Sequence, residues 1–514
     1  MVSSTTEKAE SASRGGHGAA PWLDGALTFW LFALALAAPH SIAATQLAWG
    51  CGLVLWGARL LLSPRPRLPR GPVVYALLAF FAWTVISSLF SYDRATSVGK
   101  LRAASLFTIV LLVASNVHTR RTLRLLALAL VASCVVNVLY TFGERAVGRG
   151  FRLEGVSADS PLRAALFVRE DGTTDPTPIQ SGDIVLEVDG RRVREPEELA
   201  AALDKAQAGD ALVKIYRVEW TPTLRVPRGR LLAGATALER LGMSGWSRGR
   251  EWRAAGFYGH YTTYAEALQL IASLAFALFI ALRRKLSREG VLLMLAVAGM
   301  GGALLLTVTR ASWLAFLVSA FVIVLAGAAK RRTVIILAAC VVPIIVAGLF
   351  VLRQQRGVGF VDARDQSIAW RETVWREGFD LLKSKPRHLL VGVGMDSIKT
   401  HWREWGLFDQ GRLPVGHMHS TPLQLAVERG VPALLLWLLV VVLYAVMLLR
   451  LVRQTESGQW VERGIALGAL GGLAGFVTSG FVHYNFGDSE VVMIFYFIMG
   501  LSLAVKRPAR ESVL

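Results

Sequence analysis

The residues best suited to chemistry lie in one short stretch, VGHMHSTPLQLAVERG, at 415–430. Ser420 or Thr421 suits the N-cap of the apolar helix that follows, and the next proline suits its first turn, so His419 lies at the helix start. The positive end of the helix dipole favours a neutral imidazole, a candidate general base. An interfacial histidine that hydrogen-bonds a loop carbonyl is the alternative. His417 is expected to face elsewhere and is a secondary candidate.

Three arginines are candidates for holding an anion. Arg371 lies on the apolar stripe of the amphipathic helix predicted from QSIAWRETVWREGFDLLKSKP, so it must reach the interface or find an anion. Arg310 occurs at the turn between two apolar segments, in LLLTVTRASWLAF, and Arg253 precedes another in EWRAAGFYGHYTTYAEALQL. Because the planar guanidinium fork matches phosphate oxygens, these residues beside a histidine predict an anionic lipid-phosphate substrate.

The sequence gives little indication of a metal site or of protease activity. The three cysteines, Cys51, Cys134 and Cys340, fall in separate apolar segments, which favours packing over a disulfide or metal site. The sequence contains no His-Glu-x-x-His motif and offers no Ser-His-Asp set. We therefore expect no metal and no cofactor.

The elements that position these residues are apolar helices. The chain has 514 residues, of which 54% are hydrophobic, and a mean hydropathy of +0.46. Many windows longer than 18 residues carry almost no charge, which is typical of transmembrane helices and not of alternating barrel strands. We predict a polytopic α-helical membrane protein with about twelve spans. They lie near 24–40, 45–62, 72–90, 99–115, 121–142, 259–282, 289–308, 310–328, 332–352, 430–450, 463–484 and 488–506.

Charge predicts the orientation and the domains. The net charge is +19, and the basic loops fall on the side of the N-terminus, which we assign to the cytoplasm; this explains the charge better than nucleic-acid binding does. The predicted domains are a disordered cytoplasmic tail at 1–22, helices 1–5 at 23–142, an extracytoplasmic segment at 143–258, helices 6–9 at 259–352, an extracytoplasmic catalytic loop at 353–429, helices 10–12 at 430–506 and a cytoplasmic tail at 507–514.

The first extracytoplasmic segment contains an α/β insert. DIVLEV alternates, Asp189-Gly190 suits a hairpin turn, and Pro196 suits the first turn of a helix that precedes another strand. Through SGDIVLEVDGRRV and EELAAAL the insert resembles a PDZ domain over about 155–225. The resemblance implies that a peptide or protein partner binds by strand addition. A structural or docking module is the alternative.

Five stretches run in one order over most of 253–502: RAAGFYGHYTTYAEAL, TVTRASWLA, WRETVWREGFDLLKSKPRHLLVGVGMDS, HMHSTPLQLAVERGVPALLL and FVHYNFGDSEVVMIFYFIMGL. Together they resemble the bacterial O-antigen ligase family, which includes O-antigen polymerases and some protein O-glycosyltransferases. The resemblance implies a GT-C-like glycosyltransferase of the bacterial inner membrane that acts on the periplasmic face. It would take a glycan from undecaprenyl diphosphate and transfer it to an acceptor such as lipid A-core, without a nucleotide sugar or metal.

The resemblance also implies residue roles. His419 matches the functional histidine of the family, with Ser420 where asparagine is usual, and would take the acceptor proton. Arg253 and Arg371 match the arginines that hold the diphosphate, with Arg310 in support. Direct displacement inverts the anomeric centre. An O-antigen or exopolysaccharide polymerase and a protein O-glycosyltransferase stay open as alternatives. A non-enzymatic transporter or envelope sensor fits less well, because no internal repeat is evident.

Overall fold

The computed structural model describes residues 21–63, 65–168, 172–205, 209–217, 220–327, 366–456 and 458–506. The longer helices span Pro21–Ala37, Ile42–Leu61, Pro72–Leu89, Thr108–Asn116, Arg120–Val147, Tyr261–Ala281, Arg288–Leu306, Arg310–Gly327, Gln366–Lys383, Thr421–Gln454, Trp460–Gly480 and Ser489–Val505. Shorter helices span Arg94–Gly99, Leu101–Ala104, Pro196–Asp204, Ala237–Leu241, Pro386–Val391, Ser397–His401 and Leu407–Gly411. Single 3₁₀ turns span Ser105–Phe107, Pro161–Ala164, Gly256–Tyr258 and Asn485–Gly487.

Within the described ranges, eight helical segments are long and apolar enough to cross a membrane, by length and composition. They are Pro72–Leu89, Arg94–Asn116, Arg120–Val147, Tyr261–Ala281, Arg288–Leu306, Arg310–Gly327, Thr421–Gln454 and Trp460–Gly480. Two shorter apolar helices span Pro21–Ala37 and Ser489–Val505. These helices support the prediction of a multi-pass membrane protein. The count of twelve spans stays a prediction.

Some predicted features differ from the structure or lie outside it. The predicted span at 430–450 is part of a longer helix, Thr421–Gln454, which begins inside the segment predicted as a loop. The predicted span 332–352, Cys340, the C-terminal tail 507–514 and nearly all of the N-terminal tail lie outside the described residues.

The chain divides into two compact units, of which the first comprises Met1–Val138 and Ala255–Leu514. Its centre is the glycine-rich helix Trp460–Gly480. A side chain at Gly468 would approach Leu274 Cα to 2.8 Å, and one at Gly475 would approach Ser319 Oγ to 2.2 Å. The helix Trp460–Gly480 therefore packs closely against two neighbouring helices, because small residues let membrane helices approach each other.

The second unit, Leu139–Ala254, is built on an antiparallel sheet. Its strands are β1 (Phe151–Glu154), β2 (Leu166–Val168), β3 (Thr174–Pro176), β4 (Ile184–Val188), β5 (Arg191–Arg192), β6 (Asp210–Tyr216), β7 (Thr223–Pro227) and β8 (Gly245–Arg248). The order is β3-β2-β7-β6-β4-β1-β8, with β5 paired to β4. The sheet and the helix Pro196–Asp204 enclose an apolar core.

The sequence-predicted elements of the second unit are present. Asp189 and Gly190 have φ values of 49° and 75°, as the predicted hairpin turn requires, and they join β4 to β5. The predicted helix follows at Pro196–Asp204 and the predicted strand at β6. The resemblance to a PDZ domain stays a prediction.

Candidate active site

His417 and His419 meet in a tight turn before the helix Thr421–Gln454. The backbone N–H of His419 donates to Nδ1 of His417 at 3.1 Å, and the centroids of the two rings lie 3.9 Å apart. The expectation that His417 faces away from His419 is therefore wrong. Residues two apart in an extended segment project to the same side, and the left-handed backbone of His419, with φ 46°, bends the chain into the turn in which the two rings meet.

The residue between the two histidines anchors the turn. Met418 is fully buried; its N–H donates to Gln424 Oε1 at 2.6 Å and its carbonyl accepts from Trp375 Nε1 at 2.8 Å. Ser420 occupies the predicted N-cap position, but in the described structure its side chain makes no capping hydrogen bond. The turn is thus held from both sides, by the helix that follows it and by the helix Gln366–Lys383.

The helix Gln366–Lys383 also brings two side chains to the histidines. The ring of Trp370 stands edge-on to His419, with centroids 4.2 Å apart. Arg371 is half-buried, its Nε donates to the carbonyl of Val482 at 3.2 Å, and its charge acts on His419. The structure therefore brings together two of the sequence-predicted site residues, Arg371 and His419, with the secondary candidate His417.

Burial keeps both imidazoles neutral at neutral pH. Burial lowers the pKa of His419 to about 2, with His417 and then Arg371 adding to the effect. Burial likewise lowers the pKa of His417 to about 4, with smaller contributions from Lys399 and His483. Burial and neighbouring charge thus account for the lowered pKa values, and the contribution of the helix dipole stays a prediction. An anion beside Arg371 acts in the opposite direction and raises the pKa of His419.

Sequence reasoning missed a buried histidine–carboxylate pair near these residues. Nδ1 of His483 lies 2.9 Å from Oε1 of Glu266, which is only 2% exposed. The carbonyl of His483 accepts from the N–H of Thr421, and its ring contributes to the lowered pKa of His419. The available signal was an acidic residue inside an apolar helix, which usually marks a functional position.

The two remaining candidate arginines lie on other elements of the chain. Arg310 begins the helix Arg310–Gly327, directly after the predicted turn, where Val308 has a φ of 51°. Arg253 is half-buried and lies just after β8, in the last residues of the second unit. Their predicted roles in donor binding stay predictions.

Across the described residues, no group of three or more His, Cys, Asp or Glu side chains is placed to hold a metal ion. Cys51 and Cys134 are free thiols. The site therefore offers two neutral imidazoles, a buried acid–imidazole pair and an arginine.

Residues 295–438 match the family model described as O-antigen ligase. This part of the chain is similar to that family. The match contains Arg310, Arg371, His417 and His419, so the turn and its arginine lie within the ligase segment. No curated protein matches the chain.

The match indicates the general activity of this segment. It implies a membrane enzyme that transfers or polymerises glycans. The matched residues include a neutral imidazole, His419, and a cation, Arg371. Glu266 precedes the matched residues in the chain, and His483 follows them.

Proposed function

We propose that the protein transfers a glycan from undecaprenyl diphosphate to an acceptor such as lipid A-core, on the periplasmic face of the bacterial inner membrane. The observation that carries the proposal is a half-buried, neutral His419 within the field of Arg371. A neutral imidazole accepts a proton, and an arginine favours a phosphate anion beside it. The family match to the same segment supports this assignment.

The proposed reaction is a direct displacement. An acceptor hydroxyl attacks the anomeric carbon of the glycan while the bond from that carbon to the diphosphate oxygen breaks. The diphosphate leaves with the electron pair, and Arg371 stabilises its charge, with Arg253 and Arg310 as further proposed contacts. His419 takes the acceptor proton, and the anomeric configuration inverts.

Donor binding prepares the base for this step. A pKa of about 2 makes His419 a weak base, because an efficient general base has a pKa near the working pH. The diphosphate carries negative charge into the neighbourhood of Arg371 and so raises the pKa of His419. Proton transfer is thereby coupled to the presence of the donor.

The hydrogen bond inside the turn assigns different roles to the two histidines. Nδ1 of His417 accepts the N–H of His419, so its lone pair is occupied and the neutral ring carries its proton on Nε2. His417 is therefore a hydrogen-bond donor at Nε2 and does not accept a second proton while this turn is formed. We assign the base role to His419 and a positioning role to His417.

Transfer from purified lipid-linked donor to lipid A-core in liposomes tests the proposal. We expect His419→Ala to lower transfer by a factor of about 10²–10⁴ while donor binding is kept. Arg371→Ala is expected to weaken donor binding, whereas Arg376→Ala, an exposed arginine on the same helix, is the matched control. Full transfer by His419→Ala contradicts the base assignment. The mass of the product separates a lipid A-linked glycan from a longer carrier-linked chain.

A further inference from the structure

The helix Thr421–Gln454 breaks after its first two and a half turns. Gly430 has a φ of 82° and a ψ of 165°, and Pro432 follows two residues later. A side chain at Gly430 would meet the carbonyl oxygen of Leu390 at 2.0 Å. The close approach of another chain segment thus requires glycine here, and the proline removes a helical hydrogen-bond donor.

The break leaves backbone carbonyls without helical partners, and other segments supply donors to them. The N–H of Val393 donates to Val427 O at 2.9 Å, and that of Gly394 donates to Glu428 O at 2.8 Å. The indole N–H of Trp83 donates to the next carbonyl along the chain at 3.0 Å. These bonds fix the backbone of residues 427–429 and thereby the directions of the two charged side chains at its end.

The two charged side chains, Glu428 and Arg429, line a cavity of about 130 Å³. Lys100, Asp396, Tyr484 and Ser489 contribute further polar groups. The volume exceeds what several water molecules require. The rest of the wall is largely apolar and includes Phe80, Leu106, Phe486, Val492 and Tyr496.

Arg429 differs from the other charged groups of this cavity. It is only 6% exposed, and its Nε and Nη1 atoms have no hydrogen-bond partner among the described residues. Lys100 Nζ lies 2.5 Å from Asp396 Oδ2, and the carboxylate of Glu428 accepts from the Asp396 N–H at 2.8 Å and the Tyr484 hydroxyl at 3.4 Å. The guanidinium lies over the ring of Phe80 at 5.6 Å and its charge acts on Glu428, but neither contact occupies the Nε and Nη1 donors. Buried donors of a charged group that stay unoccupied cost stability unless a ligand accepts from them.

We propose that this cavity is a binding site for a phosphate group carried by a lipid, with Arg429 as its main ligand and Lys100 at its half-exposed rim. The guanidinium fork matches two phosphate oxygens, and the apolar wall suits the lipid portion. Tyr484 lies between this cavity and the histidine turn, since its ring also faces His417 with centroids 5.6 Å apart. Arg371 is not among the described residues that line the cavity, and the existence of this site does not depend on the proposed transfer.

Binding measured by titration calorimetry on the full chain in neutral detergent tests the site. The probes are geranyl diphosphate for a prenyl carrier, dihexanoyl phosphatidylglycerol for a membrane headgroup, inorganic phosphate for the bare anion and dioctanoylglycerol as the uncharged control. We expect one or both lipid phosphates to bind, and Arg429→Gln to weaken that binding about tenfold or more. Arg450→Gln, an exposed arginine on the same helix, is expected to leave it unchanged.

The outcomes separate a ligand site from a structural arginine. A ligand site predicts that Arg429→Gln keeps or raises the melting temperature, because it removes a buried charge whose Nε and Nη1 donors have no hydrogen-bond partner among the described residues. Equal binding of every lipid phosphate by Arg429→Gln and the wild type overturns the proposal, as does binding of inorganic phosphate alone. If Arg429→Gln does not fold, Lys100→Gln must show the weakened binding instead. The lipid phosphate must still bind to the Arg371→Gln variant. A failure of the proposed transfer can therefore be told apart from a failure of this binding site.

Discussion

His419 combines an unusual backbone with an unusual ring environment. A positive φ in a residue other than glycine is uncommon and persists where the surroundings enforce it, often at functional sites. Here the bond to His417 and the buried Met418 enforce it. The same geometry packs the ring of His419 against Trp370 and the two histidine rings against one another, and burial lowers the pKa of each.

Replacement of His417 tests its positioning role. His417→Asn supplies a side-chain oxygen that can accept the N–H of His419, whereas His417→Ala supplies none. We expect the asparagine variant to keep most transfer activity and the alanine variant to lose about tenfold or more, in a kcat measurement with saturating donor. Equal inactivity of both variants contradicts the positioning role and favours His417 as the base.

The histidine turn predicts a direction for acid sensitivity. Both rings have a pKa below the unfolded value of 6.5, so below that pH the unfolded chain binds more protons than the folded one. The stability that these neutral rings contribute is fully present above pH 6.5. It is lost as the pH falls from 6.5 towards the folded-state pKa, which is about 4 for His417 and about 2 for His419. We expect the melting temperature to fall between pH 7 and pH 4, and less steeply in the His417→Gln, His419→Gln double variant. Parallel curves for the two proteins contradict the assignment.

At the scale of elements, the broken helix Thr421–Gln454 connects the two sites. Its first segment begins at Thr421, directly after the histidine turn, and ends at Arg429, which lines the cavity. The backbone bonds from Val393 and Gly394 hold that segment at a fixed angle to the rest of the helix. Helix kinks usually arise at proline or glycine, and both occur here.

Gly430 provides the test at this scale. Gly430→Ala introduces a side chain at a φ of 82° and within 2.0 Å of Leu390 O, so we expect a loss of about 1–3 kcal/mol in stability, seen as a lower melting temperature. Gly57→Ala, in the helix Ile42–Leu61 with nothing within 4 Å of the added atom, is the control and is expected to be neutral or stabilising. A neutral Gly430→Ala variant contradicts the requirement for glycine at the break.

At the scale of the whole molecule, the ligase segment and the sheet unit are separate parts of one chain. The family match covers 295–438, whereas the sheet unit spans Leu139–Ala254 and has its own apolar core. The chain enters and leaves the sheet at adjacent points, since Arg149 and Gly249 are joined by a backbone hydrogen bond of 2.8 Å. Such closely spaced ends are typical of inserted domains.

Excision of the sheet tests its independence. We expect residues 150–248, expressed alone, to give a cooperative thermal transition, because they contain the described sheet and its core. Replacement of the same residues by a short Gly-Ser linker in the full chain is expected to leave transfer to a soluble acceptor analogue within about threefold of the wild type. Loss of transfer by a correctly folded deletion variant would show that the insert contributes to the chemistry.

The sequence by itself determined the local features: the apolar helices, the strand and hairpin at β4 and β5, and the helix start at Ser420. Hydrophobic periodicity and turn chemistry fix these, and both act over a few residues. The tertiary structure decided which polar groups meet. His483 and Glu266 are 217 residues apart, and the cavity at Arg429 needs Lys100 and Tyr484 from distant segments. Only the packing of the folded chain brings such groups together, because a single sequence carries no local signal for contacts between residues so far apart.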